Sequence, residues 1–145
     1  MIWESQFWKE DLARLALQLK KRTGQRRWSE RSLAKLEKEV FIGFYAIRKL
    51  LESKKLSERL TKTQIPIETF PYTGAARITI YNWDRKVYDA YDFNKVSKVK
   101  VTVKFLCDQV IHSYIYKEMF DDNGGILSFS YPLTGRKARS CIVYR

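Results

Sequence analysis

Apolar residues recur every three or four positions through the first third of the chain and then give way to alternation. Between Ser29 and about Lys55, Leu33, Leu36, Val40, Phe44, Ile47 and Leu51 fall on one face of a helix. Phe41, Ile42, Tyr45 and Leu50 widen that stripe, which predicts cover from two directions in the middle of the helix. Ser29 suits the N-cap, Trp28 and Leu33 the two ends of a hydrophobic staple, and Glu30 the positive end of the helix dipole. Upstream, Trp8, Leu12, Leu15 and Leu19 make a second stripe over Glu4 to Lys21. Gly24 ends that helix, and the short connection to Ser29 predicts an antiparallel helical hairpin.

Past Lys55 the period fades through Leu56 to Leu60, read as a last frayed turn of the second helix. Pro66, Pro71 and Gly74 rule out helix and predict an extended or irregular, aromatic-rich connector over 61–95. Within it, Arg77 to Tyr81 and Lys86 to Tyr88 read as a small hairpin around Asn82 to Arg85. The next stretch, 97–105, satisfies two periods. Lys98 to Phe105 alternates, while Val99, Val103, Leu106 and Val110 keep helical spacing, and a third helix from near Val99 to near His112 is favoured. Ser113–Phe120, Ile126–Tyr131 and Ala138–Tyr144 read as three strands joined by Asp121–Gly125 and Pro132–Lys137. The fold class that follows is α+β, in one domain over 1–145. A long N-terminal helical hairpin (1–60) and a third helix pack on a C-terminal three-stranded antiparallel meander, the helix and meander together spanning 96–145.

Charge adds what the pattern omits. Lys and Arg number 28 against 16 Asp and Glu, a formal net charge of +12. A field of that sign attracts polyanions, nucleic acid first among them; a solubilising surface or an acidic protein partner is the plainer account. Lys20, Lys21, Arg22, Arg26, Arg27 and Arg31 surround the hairpin tip, where Trp28 offers a stacking face. Arg136, Lys137 and Arg139 decorate the last loop, and Lys95, Lys98, Lys100 and Lys104 form a row. Several separate basic groups predict contacts to phosphates more than to base edges, so the leading expectation is a non-catalytic module binding RNA or single strands. Tyr81, Trp83, Tyr88 and Tyr91 are further stacking candidates, or core residues.

Cys107 and Cys141 lie in apolar surroundings without metal-ligand spacing and read as buried free thiols in a reducing compartment; a disulfide between them requires an oxidising one. No secretion signal opens the chain, and the longest apolar stretch, Val40 to Ile47, is too short to cross a bilayer, so a cytoplasmic location away from membranes is expected.

The one histidine, His112, lies four residues beyond Asp108, on the same side of a helix, where the carboxylate would raise the basicity of the imidazole. The bland alternative is a helix-end histidine bonding Asp108 or a carbonyl. Two long helices followed by Asp108-x-x-x-His112 near the end of a third resemble the HEPN family, helical domains many of which are ribonucleases. That family's signature is Arg, a polar residue, three variable residues and His; its members cleave RNA without metal, often as dimers that bring two motifs together. The resemblance covers Glu4–Lys55 and Val99–Ser113 and implies catalytic roles for Asp108 and His112. The chain departs from the signature at the Arg position, which holds Cys107, a side chain unable to grip a phosphate bidentately. A divergent metal-independent ribonuclease is the second expectation. The third is a protein-interaction or oligomerisation subunit, with the wide stripe of helix two covered by a second copy (a homodimer) or an acidic protein partner.

Other chemistry lacks its residues. The chain has no Walker loop, no GxGxxG, no paired-cysteine site and no second histidine, and Asp121-Asp122-Asn123 lacks the spacing and closing Glu of a calcium loop. Neither a metal nor a cofactor is expected.

Overall fold

A computed structural model describes residues 2–74, 79, 81–82, 86, 89–113, 115–132 and 140–144, with side chains described as far as residue 126. The hairpin forms as its periodicity requires, from α1 (Ser5–Arg22) and α2 (Glu30–Glu52). The two run antiparallel. Arg22 meets Ser32 and Glu39 near the tip, Leu15 meets Gly43 midway, and the Ile2 N–H bonds Ser53 Oγ at the open end. Gly43 leaves the room this needs, since a Cβ there would lie 3.0 Å from Leu15 Cδ2. Ser29 caps α2, its Oγ accepting from the Ser32 N–H at 3.2 Å.

At its other end α2 closes sharply. The N–H groups of Lys54 and Lys55 return to the carbonyls of Leu51 and Leu50, with Lys54 in the left-handed region at φ 53. The stretch Leu56–Leu60 is therefore not a frayed end of α2. Ser57 starts a separate short helix, α3 (Glu58–Lys62), by accepting from the Leu60 N–H.

The strands β1 (Gln64–Pro71), β2 (Ser97–Thr102), β3 (Lys117–Phe120), β4 (Ile126–Pro132) and β5 (Ser140–Tyr144) form one antiparallel sheet in the order β2-β1-β5-β4-β3. The expected meander is seen in part, in the pairing of β3 with β4 and of β4 with β5, its first strand beginning at Lys117 instead of Ser113, and two further strands extend the sheet. β1 occupies the stretch read as an extended or irregular connector. Pro66 stands opposite Lys100 of β2, and among the described residues the pairing of β1 with β5 begins at Glu68. The third helix does not begin near Val99. Ile65–Val101 and Ile67–Val99 pair across the strands, so alternation persists to Thr102. Thr102 then caps α4 (Val103–His112) by accepting from the Phe105 N–H at 3.2 Å.

α4 carries the chain from the β2 edge to the β3 edge. Leu106 and Val110 pack on Ile67 of β1, with Phe41 and Phe44 of α2 alongside. Leu36 and Val40 of α2 meet Tyr116 just before β3. Phe70, three residues beyond Ile67 and so on the opposite side of β1, makes a second cluster with Ala90, Tyr91, Phe93 and Met119. Tyr91 is thus a core residue, whereas Tyr81 is 84% exposed. Trp83, Tyr88 and most of the expected small hairpin between Arg77 and Tyr88 lie outside the described residues. Among the described residues no helix is long and apolar enough to cross a membrane.

Glu118 of β3 is half-buried, and that burial, with the Glu37 carboxylate of α2 adding to it, raises its carboxyl above the usual range. The fold therefore binds this proton more tightly than the unfolded chain does. Ionised Glu118 penalises the fold at neutral pH, and the penalty fades as pH falls through the raised pKa. Glu118→Gln should raise the melting temperature near pH 7 and leave it almost unchanged near pH 4, as read by calorimetry.

Candidate functional site

The basic tip is built on the β3–β4 turn. Asp121 organises that turn, its Oδ1 accepting from the Asn123 and Gly125 N–H groups at 2.8 and 2.7 Å. Trp28 Nε1–H donates to the Gly124 carbonyl at 2.9 Å, its ring packs near Phe120, and Arg26 pairs with Asp121 at 3.5 Å. The Gln25 amide adds a brace, donating to the Arg27 carbonyl at 2.8 Å and to Ser32 Oγ at 2.9 Å. Arg22 turns inward to Glu39 at 3.0 Å, both side chains largely buried. Of the residues singled out here, Arg22, Arg26 and Trp28 therefore have structural partners. Lys20, Lys21, Arg27 and Arg31 are exposed and pair with no carboxylate among the described residues. Four cations are thus displayed around the tip, Lys20 and Lys21 on the last turn of α1, Arg27 on the connecting loop and Arg31 on the first turn of α2.

The second candidate set lies on α2 and α4. Lys104, Asp108 and His112 follow one another at four-residue spacing on the outer face of α4. Asp108 is held by two cations, Arg48 of α2 and Lys104 of its own helix, the latter at 2.8 Å. Arg48 also bonds Glu52 at 2.8 Å. The carboxylate is thus committed to cations, and His112 is exposed and bonds none of the described residues. Cys107, at the Arg position of the HEPN signature, is wholly buried and free, and burial pushes its thiol up to about 11. A side chain at 107 enters the core, whereas the guanidinium beside Asp108 comes from α2.

Lys98 and Lys100 are exposed on β2, and Lys104 on α4, so the expected row is divided between strand and helix. Arg136, Lys137 and Arg139 lie outside the described residues, as does the side chain of Cys141. Among the described residues no three His, Cys, Asp or Glu side chains gather as a metal site would need. Sequence reasoning missed an open cavity at the other end of the hairpin, where Trp8 and Tyr45 face Lys49, Lys54 and Lys55. The signal was available: an antiparallel hairpin brings the start of α1 beside the end of α2. No family model, curated protein or solved structure matches the chain.

Gly124 is required at the tip for two reasons, its φ of +79 and the approach of the Arg26 backbone carbonyl to where a Cβ would sit. At Gly125 a Cβ would meet the Arg26 guanidinium and Asp121 Oδ2, both side-chain ends and neither of them backbone. Gly124→Ala should cost about 2–3 kcal/mol and Gly125→Ala at most about 1 kcal/mol, as read from denaturant midpoints. The reverse order would detach the tip from the turn.

Proposed function

We propose that this chain is a non-catalytic nucleic-acid-binding module that takes RNA or single strands on the α1–α2 tip. The observation that supports it is the braced tip carrying Lys20, Lys21, Arg27 and Arg31 without carboxylate partners among the described residues. Ammonium and guanidinium groups displace counterions from phosphates, and a fixed loop spends little conformational entropy in doing so. In this reading His112 is at most a phosphate contact, because Asp108 is already neutralised by Arg48 and Lys104.

The test is a titration against labelled RNA, single-stranded DNA and duplex DNA. With four phosphates neutralised, raising salt from about 50 to about 200 mM should weaken single-strand binding roughly 50-fold. Arg27→Glu with Arg31→Glu should weaken binding and flatten the slope of log K against log salt by about 1.4. An unchanged slope overturns the tip as the phosphate surface. The same samples on a denaturing gel should show intact RNA; cleavage abolished by His112→Ala would assign the chain to the ribonuclease alternative.

A second reading rests on a different observation. Trp3, Phe7, Ile42 and Tyr45 are 84, 63, 52 and 49% exposed, and a groove of about 380 Å³ runs between Phe7, Leu12 and Leu15 of α1 and Ile42 and Ala46 of α2. An apolar surface of this kind suits a second copy of the hairpin or another protein. Light scattering at micromolar concentration should then give twice the chain mass, returning to one chain in Ile42→Glu.

A further inference from the structure

The cavity at the open end of the hairpin has a volume of about 570 Å³, within the roughly 300–1,000 Å³ typical of small-ligand sites. Two chemistries meet in its walls. Trp8 and Tyr45 supply aromatic rings, while Lys49, Lys54 and Lys55 set three ammonium groups against one carboxylate, Glu52. Hydrogen bonds from Arg48 at 2.8 Å and Lys49 at 3.0 Å engage that carboxylate and hold it below the usual range. Lys49 Nζ also stands 5.6 Å from the Tyr45 ring centroid, an ammonium already seated on an aromatic face. Lys54 and Lys55 pair with no carboxylate among the described residues, and the Trp8 indole N–H donates to none of them.

The backbone adds an independent observation. Lys54 occupies the left-handed position that closes α2, at φ 53. A side chain there is strained relative to glycine, the residue that most often fills this position. The chain thus holds an ammonium group, at a cost in stability, at the mouth of a cavity that has aromatic walls. Strain retained beside a cavity points to use.

We propose that this cavity binds a nucleotide unit, with the base against Trp8 and Tyr45 and the phosphate on Lys54 and Lys55. Ring faces select a planar group, and compact ammonium charges on flexible stems select phosphate. An acidic peptide or a free phosphate would leave the rings unused. The proposal stands independently of the tip, which lies at the opposite end of the hairpin. A free mononucleotide and the 5′-phosphorylated end of a strand present the same chemistry.

The experiment is isothermal titration of the full chain with ADP, adenosine, inorganic phosphate, and hexathymidylate with and without a 5′-phosphate. ADP should bind saturably and at least about tenfold more tightly than adenosine or phosphate alone. Hexamers that bind equally assign the site to free nucleotide; preference for the phosphorylated hexamer assigns it to a strand end. Lys54→Gly should weaken binding about tenfold while holding or raising the melting temperature, because glycine suits this φ, so the loss is not a loss of fold. Arg27→Glu with Arg31→Glu should leave ADP affinity unchanged, which separates this site from the tip. The proposal is overturned if neither ADP nor the phosphorylated hexamer outbinds adenosine, phosphate and the plain hexamer, or if Lys54→Gly binds as tightly as the parent chain.

Discussion

The packing of α4 against β1 and α2 is the contact on which the rest of the chain depends. β2 lies at one edge of the sheet and β3 at the other, so the chain must cross the sheet between them. The ten residues of α4 make that crossing because one of their faces is apolar, with Leu106 and Val110 buried beside Ile67, Phe41 and Phe44, and Cys107 buried as well. Burying one such side chain is worth about 1.5–3 kcal/mol, against at most about 1 kcal/mol for a typical exposed ion pair. The apolar seam therefore holds α4, and the Arg48–Asp108 pair fixes how it sits against α2. Once the crossing is made, the β3-β4-β5 meander returns to β1, and the last strand closes beside the first.

The same packing redistributes charge. Glu39, Glu52, Asp108 and Asp121 each face a cation brought by another turn or another element. Such pairs add little stability where they are exposed, but they remove the carboxylates from the field an approaching anion meets. Among the cations that no described carboxylate compensates, Lys20, Lys21, Arg27 and Arg31 stand at one end of the helical hairpin and Lys54 and Lys55 at the other, while Lys9 and Lys38 lie along its helices and Lys98 and Lys100 on β2. A net charge of +12 is thus sorted into a structural fraction and an available fraction.

The two ends differ in kind. The tip is held from below by the β3–β4 turn, through Trp28, Arg26 and the close approach of two glycines, and presents its cations without an aromatic wall. The open end is concave, has Trp8 and Tyr45 for walls, and carries its backbone strain at Lys54. One is a charged rim around a braced turn; the other is an open concavity with aromatic side chains among its lysines.

Local pattern alone determined α1, α2, the Ser29 cap, the turn at Asp121–Gly125 and the three C-terminal strands, because each depends on residues a few positions apart. It could not decide 97–105, where alternation and helical spacing coexist; the choice fell to Ile65 and Ile67, which stand opposite Val101 and Val99 and hold the stretch extended to Thr102. β1 was hidden behind Pro66 and Pro71, whose missing N–H groups are tolerated only once the neighbouring strands are known. The basic tip was readable as a cluster. That Arg22 and Trp28 point inward was not, since their partners Glu39 and Gly124 lie 17 and 96 residues away. The guanidinium beside Asp108 and the cavity joining Trp8 to Lys54 are likewise products of helix-against-helix closure. Sequence set the periods, the charges and the ion pairs three or four residues apart, such as Lys35–Glu39 and Lys104–Asp108. Tertiary contact added Arg22–Glu39, Arg26–Asp121 and Arg48–Asp108, because those partners meet only when helix closes on helix or on the β3–β4 turn.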